Sequence, residues 1–151
     1  MNKLIMFDWG WTLWDPENNA LMKDAIKILE FAKGRGYKIA IACLASDGDV
    51  DRRMRLMGET GVSKYCDSIK ISKEMDKNIL LDGLLEEFGV HPEETIVVDD
   101  RTIRGVLWAV NNEATAVWFQ NGKHSEELPL EGKEPDCTIH SLFELMDKGI
   151  I

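Results

Sequence analysis

Residues 3–15 read KLIMFDWGWTLWD, and the order of residue types in this stretch decides the fold. Leu4, Ile5, Met6 and Phe7 form a short apolar run that stops at Asp8 and gives way to a Gly/Trp/Thr turn, the pattern of a buried strand followed by a loop. In an open parallel α/β sheet, ligands bind beyond the carboxyl ends of the strands, so Asp8 stands where a carboxylate meets a crevice. Asp8 also suits a plainer role, because an aspartate after a strand often only caps the next turn.

Working outward, apolar runs alternate with helical periodicity. After the turn cluster at 15–19, Leu21, Ala25, Ile28, Leu29 and Ala32 predict a helix over 20–33, stopped by Gly34 and Gly36. Residues 38–42 read as a strand ending in the polar loop 43–49, and 50–57 as a short helix with Arg52, Arg53 and Arg55 on a solvated face, a substrate-binding role being the lesser alternative for this cluster. A strand over 68–71 precedes a helix over 77–88, whose Leu80, Leu81, Leu84, Leu85 and Phe88 share one face. The β-branched strand 95–98 ends in Asp99-Asp100; a helix over 103–110, a strand over 115–119, a surface loop over 120–135, a strand over 137–139 and a helix over 141–148 complete the chain. Such alternation implies a Rossmann-like three-layer α/β/α sandwich with a mostly parallel sheet and right-handed crossovers.

Size and charge narrow the function. At 151 residues the chain is expected to form one α/β domain over 1–151, burying roughly two-thirds of its unfolded surface without help from a disulfide or cofactor. Eighteen Lys and Arg against 27 Asp and Glu give a net charge of -9, which argues against a nucleic-acid partner held by charge alone. A cation-mediated grip on phosphate stays compatible with that balance. The three cysteines, Cys43, Cys66 and Cys137, show no CxxC spacing, and the opening apolar run is far shorter than a signal segment or membrane span. A reduced, cytoplasmic protein without a membrane partner is expected.

Three carboxylates now fall at comparable places: Asp8 after one strand, and Asp99 and Asp100 after another. All strand carboxyl ends of a parallel sheet share one edge, so these distant residues converge there. Crowded carboxylates repel unless a cation is present, and oxygen donors suit Mg²⁺. Lys77, at the start of its helix and preceded by Asp76, is placed to face the same crevice.

In this order the pieces resemble the haloacid dehalogenase-like (HAD) superfamily of phosphohydrolases. Its first motif, an apolar strand ending in D-x-D-x-T, corresponds to Asp8-Trp9-Gly10-Trp11-Thr12; a Ser or Thr after a strand, a Lys, and an acidic pair after a strand follow. The chain is most similar to the small, capless magnesium-dependent phosphatase family, through Phe7-Asp8, Trp11-Thr12-Leu13-Trp14, Lys77 ahead of Gly89-Val90, Val98-Asp99-Asp100 and Gln120-Asn121-Gly122. The resemblance implies a HAD-like fold without a cap domain and a two-step phosphoryl transfer. Asp8 would be the nucleophile and Lys77 its cationic partner. Mg²⁺ would be held by Asp8, the Gly10 carbonyl and Asp100, with Asp99 binding through water or orienting Lys77. Phosphate contacts would come from Gly10, Trp11, Cys43, Leu44, Ser46 and Lys77.

Two departures bear on turnover. The family's second aspartate is here Gly10, which removes the general acid and base, a contribution of about 10²–10⁴-fold. The second-motif hydroxyl is replaced by Cys43, a weaker donor, unless Ser46 serves instead. Arg104 further stands where many members carry an acid. Gly10 after Trp9 invites comparison with phosphonate-cleaving members, but those need a helical cap for which the spacing leaves no room. The reading is therefore a slow or selective phosphatase; the alternative is a catalytically impaired Mg²⁺- and phosphate-binding regulatory protein of the same fold. Without a cap, the open site suits a phosphorylated small molecule, a bulky phosphorylated substrate, or closure by a second subunit in a homo-oligomer. One of Trp9, Trp11 and Trp14 is expected to overhang the site, and His91, His124 and His140 receive no role.

Overall fold

The computed structural model describes residues 2–45, 48–74 and 76–151. Ser46, one of the expected phosphate contacts, lies outside the described residues.

The opening run forms β1, Leu4–Phe7, buried along its whole length. Its side chains alternate between two apolar clusters: Ile5 and Phe7 enter one, Leu4 and Met6 the other. A strand needed by two cores lies in the centre of its sheet, and β1 pairs in parallel with β4, Lys38–Leu44, on one side and β6, Thr95–Asp99, on the other. With β5 (Ser68–Ser72), β7 (Thr115–Phe119) and β8 (Cys137–Ile139), the six-stranded order is β5-β4-β1-β6-β7-β8, and every pairing is parallel.

Helices cover both faces. Ala25, Ile28, Leu29 and Ala32 of α1, Ala25–Gly34, pack with Met57 of α2, Val50–Glu59, and Leu145 of α5, Glu144–Asp147, on one side. Leu81 and Leu84 of α3, Lys77–Phe88, pack with Val106, Trp108 and Ala109 of α4, Gly105–Asn112, on the other. The chain runs from β1 to β4 and β5, then crosses back to β6 on the far side of β1. This reversal opens a crevice between the carboxyl ends of β1 and β6.

Several boundaries differ from those the sequence predicts: β4 runs on to Leu44 and α2 to Glu59. The helix expected over 20–33 starts only at Ala25, because Trp14–Asp15 (β2) pairs antiparallel with Ala20–Leu21 (β3). Asp15 closes that hairpin by accepting from the amides of Glu17 and Asn18. The helix expected over 103–110 is Gly105–Asn112, and the closing helix keeps only Glu144–Asp147. Between β1 and β4 stand only this hairpin and α1, so no cap domain is inserted there.

Candidate active site

Asp8 follows β1 directly, and its amide donates to the Val98 carbonyl at 3.1 Å, tying the end of β1 to β6. Beyond it the chain folds tightly on one acceptor: the amides of Thr12, Leu13 and Trp14 all point to the Trp9 carbonyl. Trp9 and Trp14 stack in the core with ring centres 5.6 Å apart, a contact worth about 0.5–1.5 kcal/mol beyond burial. Trp9 is therefore a bracing residue. Trp11 takes a positive φ of 61° and, like the edges of Trp9 and Trp14, lines the cavity. Its indole lies against Gly122, where a Cβ would meet the ring at 2.3 Å, and Asn121 Nδ2 donates to its carbonyl at 2.8 Å. This contact explains the Gln120-Asn121-Gly122 stretch: only glycine fits under the ring at that positive φ.

Lys77 is the first residue of α3, whose N-cap Asp76 accepts from the Asn78 amide. Its Nζ sits 2.9 Å from Asp8 Oδ1 and 2.9 Å from Asp99 Oδ2, with only 5% of the residue exposed. Asp99 is committed elsewhere as well, accepting from the amides of Gly105 at 2.9 Å and Arg101 at 3.1 Å. A Cβ at position 105 would lie 2.4 Å from Asp99 Oδ2, so glycine there allows the carboxylate to cap α4. The carbonyl of Asp100 accepts from Trp118 Nε1 at 3.0 Å, whereas its buried Oδ1 has no hydrogen-bond partner among the described residues. One oxygen each from Asp8, Asp99 and Asp100 fall within 4.8 Å of one another.

The electrostatics follow from this crowding. Burial works to raise the Asp8 carboxyl, but the Lys77 ammonium and hydrogen bonds from Asp100, Lys77 and the Trp9 amide hold it below the ordinary aspartate value. Burial, aided by the charges of Asp8 and Asp99, pushes Asp100 up to about 10. Burial opposes the Lys77 ammonium, yet Asp8 and Asp99 together keep its pKa above the usual lysine value. An all-oxygen set with one unsatisfied buried carboxylate oxygen fits a hard divalent cation.

Above this floor opens a cavity of about 440 Å³, lined by Asp8, Gly10, Trp11, Leu44 and Asp100 among others. Cys43 does not line it. It remains a β4 residue, 1% exposed in the core, and burial together with Asp8 raises its thiol to about 12. Six basic side chains also line the cavity: Arg52 and Arg53, for which the sequence leaves a substrate-binding role as the lesser reading, and Arg101, Arg104, Lys123 and His124, which it gives no role there. Of the basic cluster on α2, Arg55 points away from the cavity, paired with Glu59 at 3.7 Å. The signal was available, since the first turn of a helix after a parallel strand lies at the carboxyl edge of the sheet. Loop 120–135 likewise crosses this edge. Its Glu127 accepts from Arg101 at 3.0 Å and from the Thr102 amide at 2.9 Å.

The fold recurs in solved structures. A HAD-superfamily hydrolase of subfamily IA from Geobacter sulfurreducens superposes with a TM-score of 0.73 at 13% identity, over 98% of this chain and 100% of that one. A HAD phosphatase from Thermococcus onnurineus gives a TM-score of 0.68 at 25% identity, over 85% of this chain and 58% of that one. The chain has the haloacid dehalogenase-like fold. No protein-family model matches it. Among curated sequences, a glyceraldehyde 3-phosphate phosphatase from Pyrococcus furiosus is 42% identical over 64 residues, which is 42% of this chain and 26% of the relative. The match thus spans about a quarter of that relative's length. Within the HAD-like fold, Asp8, Lys77, Asp99 and Asp100 meet at the crevice between β1 and β6, Leu44 lines the cavity, and Cys43 stays in the core.

Proposed function

We propose that the protein is a Mg²⁺-dependent phosphohydrolase that forms an aspartyl-phosphate on Asp8. The observation that carries this reading is the ion-paired Asp8–Lys77 couple beside Asp100, whose Oδ1 is buried without a partner. Lys77 keeps Asp8 ionised and orients it, as a nucleophile requires. Asp8 attacks phosphorus as the ester P–O bond breaks, and the leaving group departs as an oxyanion. Water then cleaves the acyl phosphate, returning the carboxylate and free phosphate.

Asp8, Asp100 and the Gly10 carbonyl would hold the Mg²⁺, while Asp99, already occupied by Lys77 and two amides, positions the lysine. When bound, the ion supplies neutralising charge to the phosphoryl oxygens. Position 10 offers no acid to protonate the leaving oxygen, so esters of acidic alcohols, aryl and acyl phosphates, are favoured. The phosphatase names of the relatives agree with this class of chemistry.

The test is release of inorganic phosphate from 4-nitrophenyl phosphate or acetyl phosphate with Mg²⁺. Wild type should exceed Asp8→Asn by at least 10³-fold on the scale of a lost nucleophile, and chelation by EDTA should abolish the difference. Equal rates in the two proteins would refute the proposal. Gly10 and the core position of Cys43 support a second reading, a Mg²⁺- and phosphate-binding regulatory protein without turnover. Calorimetric phosphate binding that needs Mg²⁺, with no hydrolysis across a broad panel, would select it.

A further inference from the structure

We infer that the site takes a phosphate ester bearing a second anionic group, a carboxylate or another phosphate, held at the cavity rim by Arg52 and Arg104. The inference rests on the phosphohydrolase reading of the floor. In a chain of net charge -9 the wall of this cavity carries Arg52, Arg53, Arg101, Arg104, Lys123 and His124 against one rim carboxylate, Asp49. These cations differ in their commitments. Arg101 is held by Glu127, its Nη2 3.0 Å from Oε2. The side chains of Arg52, Arg104 and Lys123 make no hydrogen bond or ion pair among the described residues. On the same helix as Arg52, Arg55 does pair with an acid, Glu59.

Depth separates these cations from the phosphoryl position. Asp8, Lys77, Asp99 and Asp100 form a largely buried floor, whereas Arg52 and Lys123 are exposed at the opening. A phosphoryl group seated on Asp8 already meets the Lys77 ammonium. What reaches the rim is the far end of the substrate. Arg52, in the first turn of α2 after β4, and Arg104, the N-cap residue of α4 after β6, stand on opposite sides of the end of β1. A planar guanidinium presents paired donors that match a carboxylate or phosphate edge, so an anion at the rim meets such a fork from the α2 side and another from the α4 side.

The experiment compares kcat/KM for 4-carboxyphenyl phosphate with that for its neutral near-isostere, 4-carbamoylphenyl phosphate, in the presence of Mg²⁺. The amide has the better leaving group, so a preference for the acid reports binding of the carboxylate. Wild type should prefer the acid by about 10-fold, the size of one charge-assisted contact. Arg52→Gln and Arg104→Gln should each shrink that ratio at least threefold, and Arg55→Gln, outside the cavity, should leave it unchanged. Calorimetry with 4-phosphonobenzoate and 4-phosphonobenzamide, which cannot be hydrolysed, should give the same ordering of Kd. Phenylene-1,4-bisphosphate in the same assay shows whether carboxylate or phosphate is the better second anion. A wild-type ratio near one, or a high ratio that survives both arginine substitutions, overturns the inference while leaving the phosphatase reading intact. Failure to turn over either ester above Asp8→Asn counts against the phosphatase reading, and the calorimetric ratio then decides the rim by itself.

Discussion

The floor and the rim of the cavity solve opposite electrostatic problems. On the floor, Lys77 lies between Asp8 and Asp99, and all three are fixed by short contacts in a nearly dry setting. Removing one partner there strands a charge. At the rim, Arg52, Arg104 and Lys123 stand in or near solvent, where water carries the cost of an unpaired cation. Geometry is thus enforced at the floor and chemistry is left adjustable at the rim, so substitutions should hit the two layers unequally.

The largest effect is expected at Lys77. Lys77→Met preserves the aliphatic stem but leaves Asp8 and Asp99 without their cation. Breaking a buried pair in this way costs about 3–5 kcal/mol. At roughly 2–4 °C per kcal/mol for a chain of this size, the metal-free protein should melt about 10 °C lower by calorimetry. Turnover should fall to the Asp8→Asn level. A variant that melts like wild type would show that the floor is solvated and no different from the rim.

Next in size is a gain at Gly10, on the border between the layers. A Cβ at this position meets nothing within 4 Å and the backbone needs no positive φ, so Gly10→Asp is sterically admitted. Restoring a general acid should raise kcat on alkyl phosphates by about 10²-fold or more and on aryl phosphates far less. Equal gains on both substrates would mean that the new carboxylate acts through the metal rather than on the leaving group.

The same division explains what could be read from the chain. Asp8, Asp99 and Asp100 announce themselves because each ends an apolar run, and the sheet order that unites them follows from parallel topology. Lys77 is legible once its helix has a start. The rim is only half legible: parallel topology puts the first turn of α2, with Arg52, at the carboxyl edge, but Arg104, Lys123 and His124 come from two other connections, and periodicity gives no direction for a charged residue in a loop. Cys43 falls inside β4, which runs to Leu44 where the sequence pattern predicts an end at Ala42, so its thiol is buried while still feeling the charges of Asp8, Lys77 and Arg53. The β2–β3 hairpin escaped for a similar reason. Two-residue strands are set by the Asp15 turn and not by an alternating pattern.

The smallest predicted effect separates floor from rim by a proton. Arginines do not titrate in any accessible range, and burial lowers the rim's His124 below the ordinary imidazole value, so above pH 7.5 the rim residues Arg52, Arg104 and His124 contribute no proton and the floor is left to respond. Asp100 is raised to about 10 by burial and by the charges of Asp8 and Asp99, so the metal-free folded protein binds a proton there that the unfolded chain, with its ordinary aspartate at 3.8, has released. More protons bound in the native state means that stability falls as pH rises between those two values. The full slope for one proton is about 1.4 kcal/mol per pH unit. Between pH 7.5 and 8.5, clear of histidine and most thiol titration, EDTA-treated wild type should lose about 3–5 °C in Tm. Asp100→Asn should abolish most of that slope. Mg²⁺ should reverse it, because carboxylate ligands must shed the proton to bind, and the stabilisation by Mg²⁺ should therefore be greater at pH 8.5 than at 7.5. A wild-type slope that persists in Asp100→Asn would assign the proton to another group and remove the electrostatic distinction between the two layers.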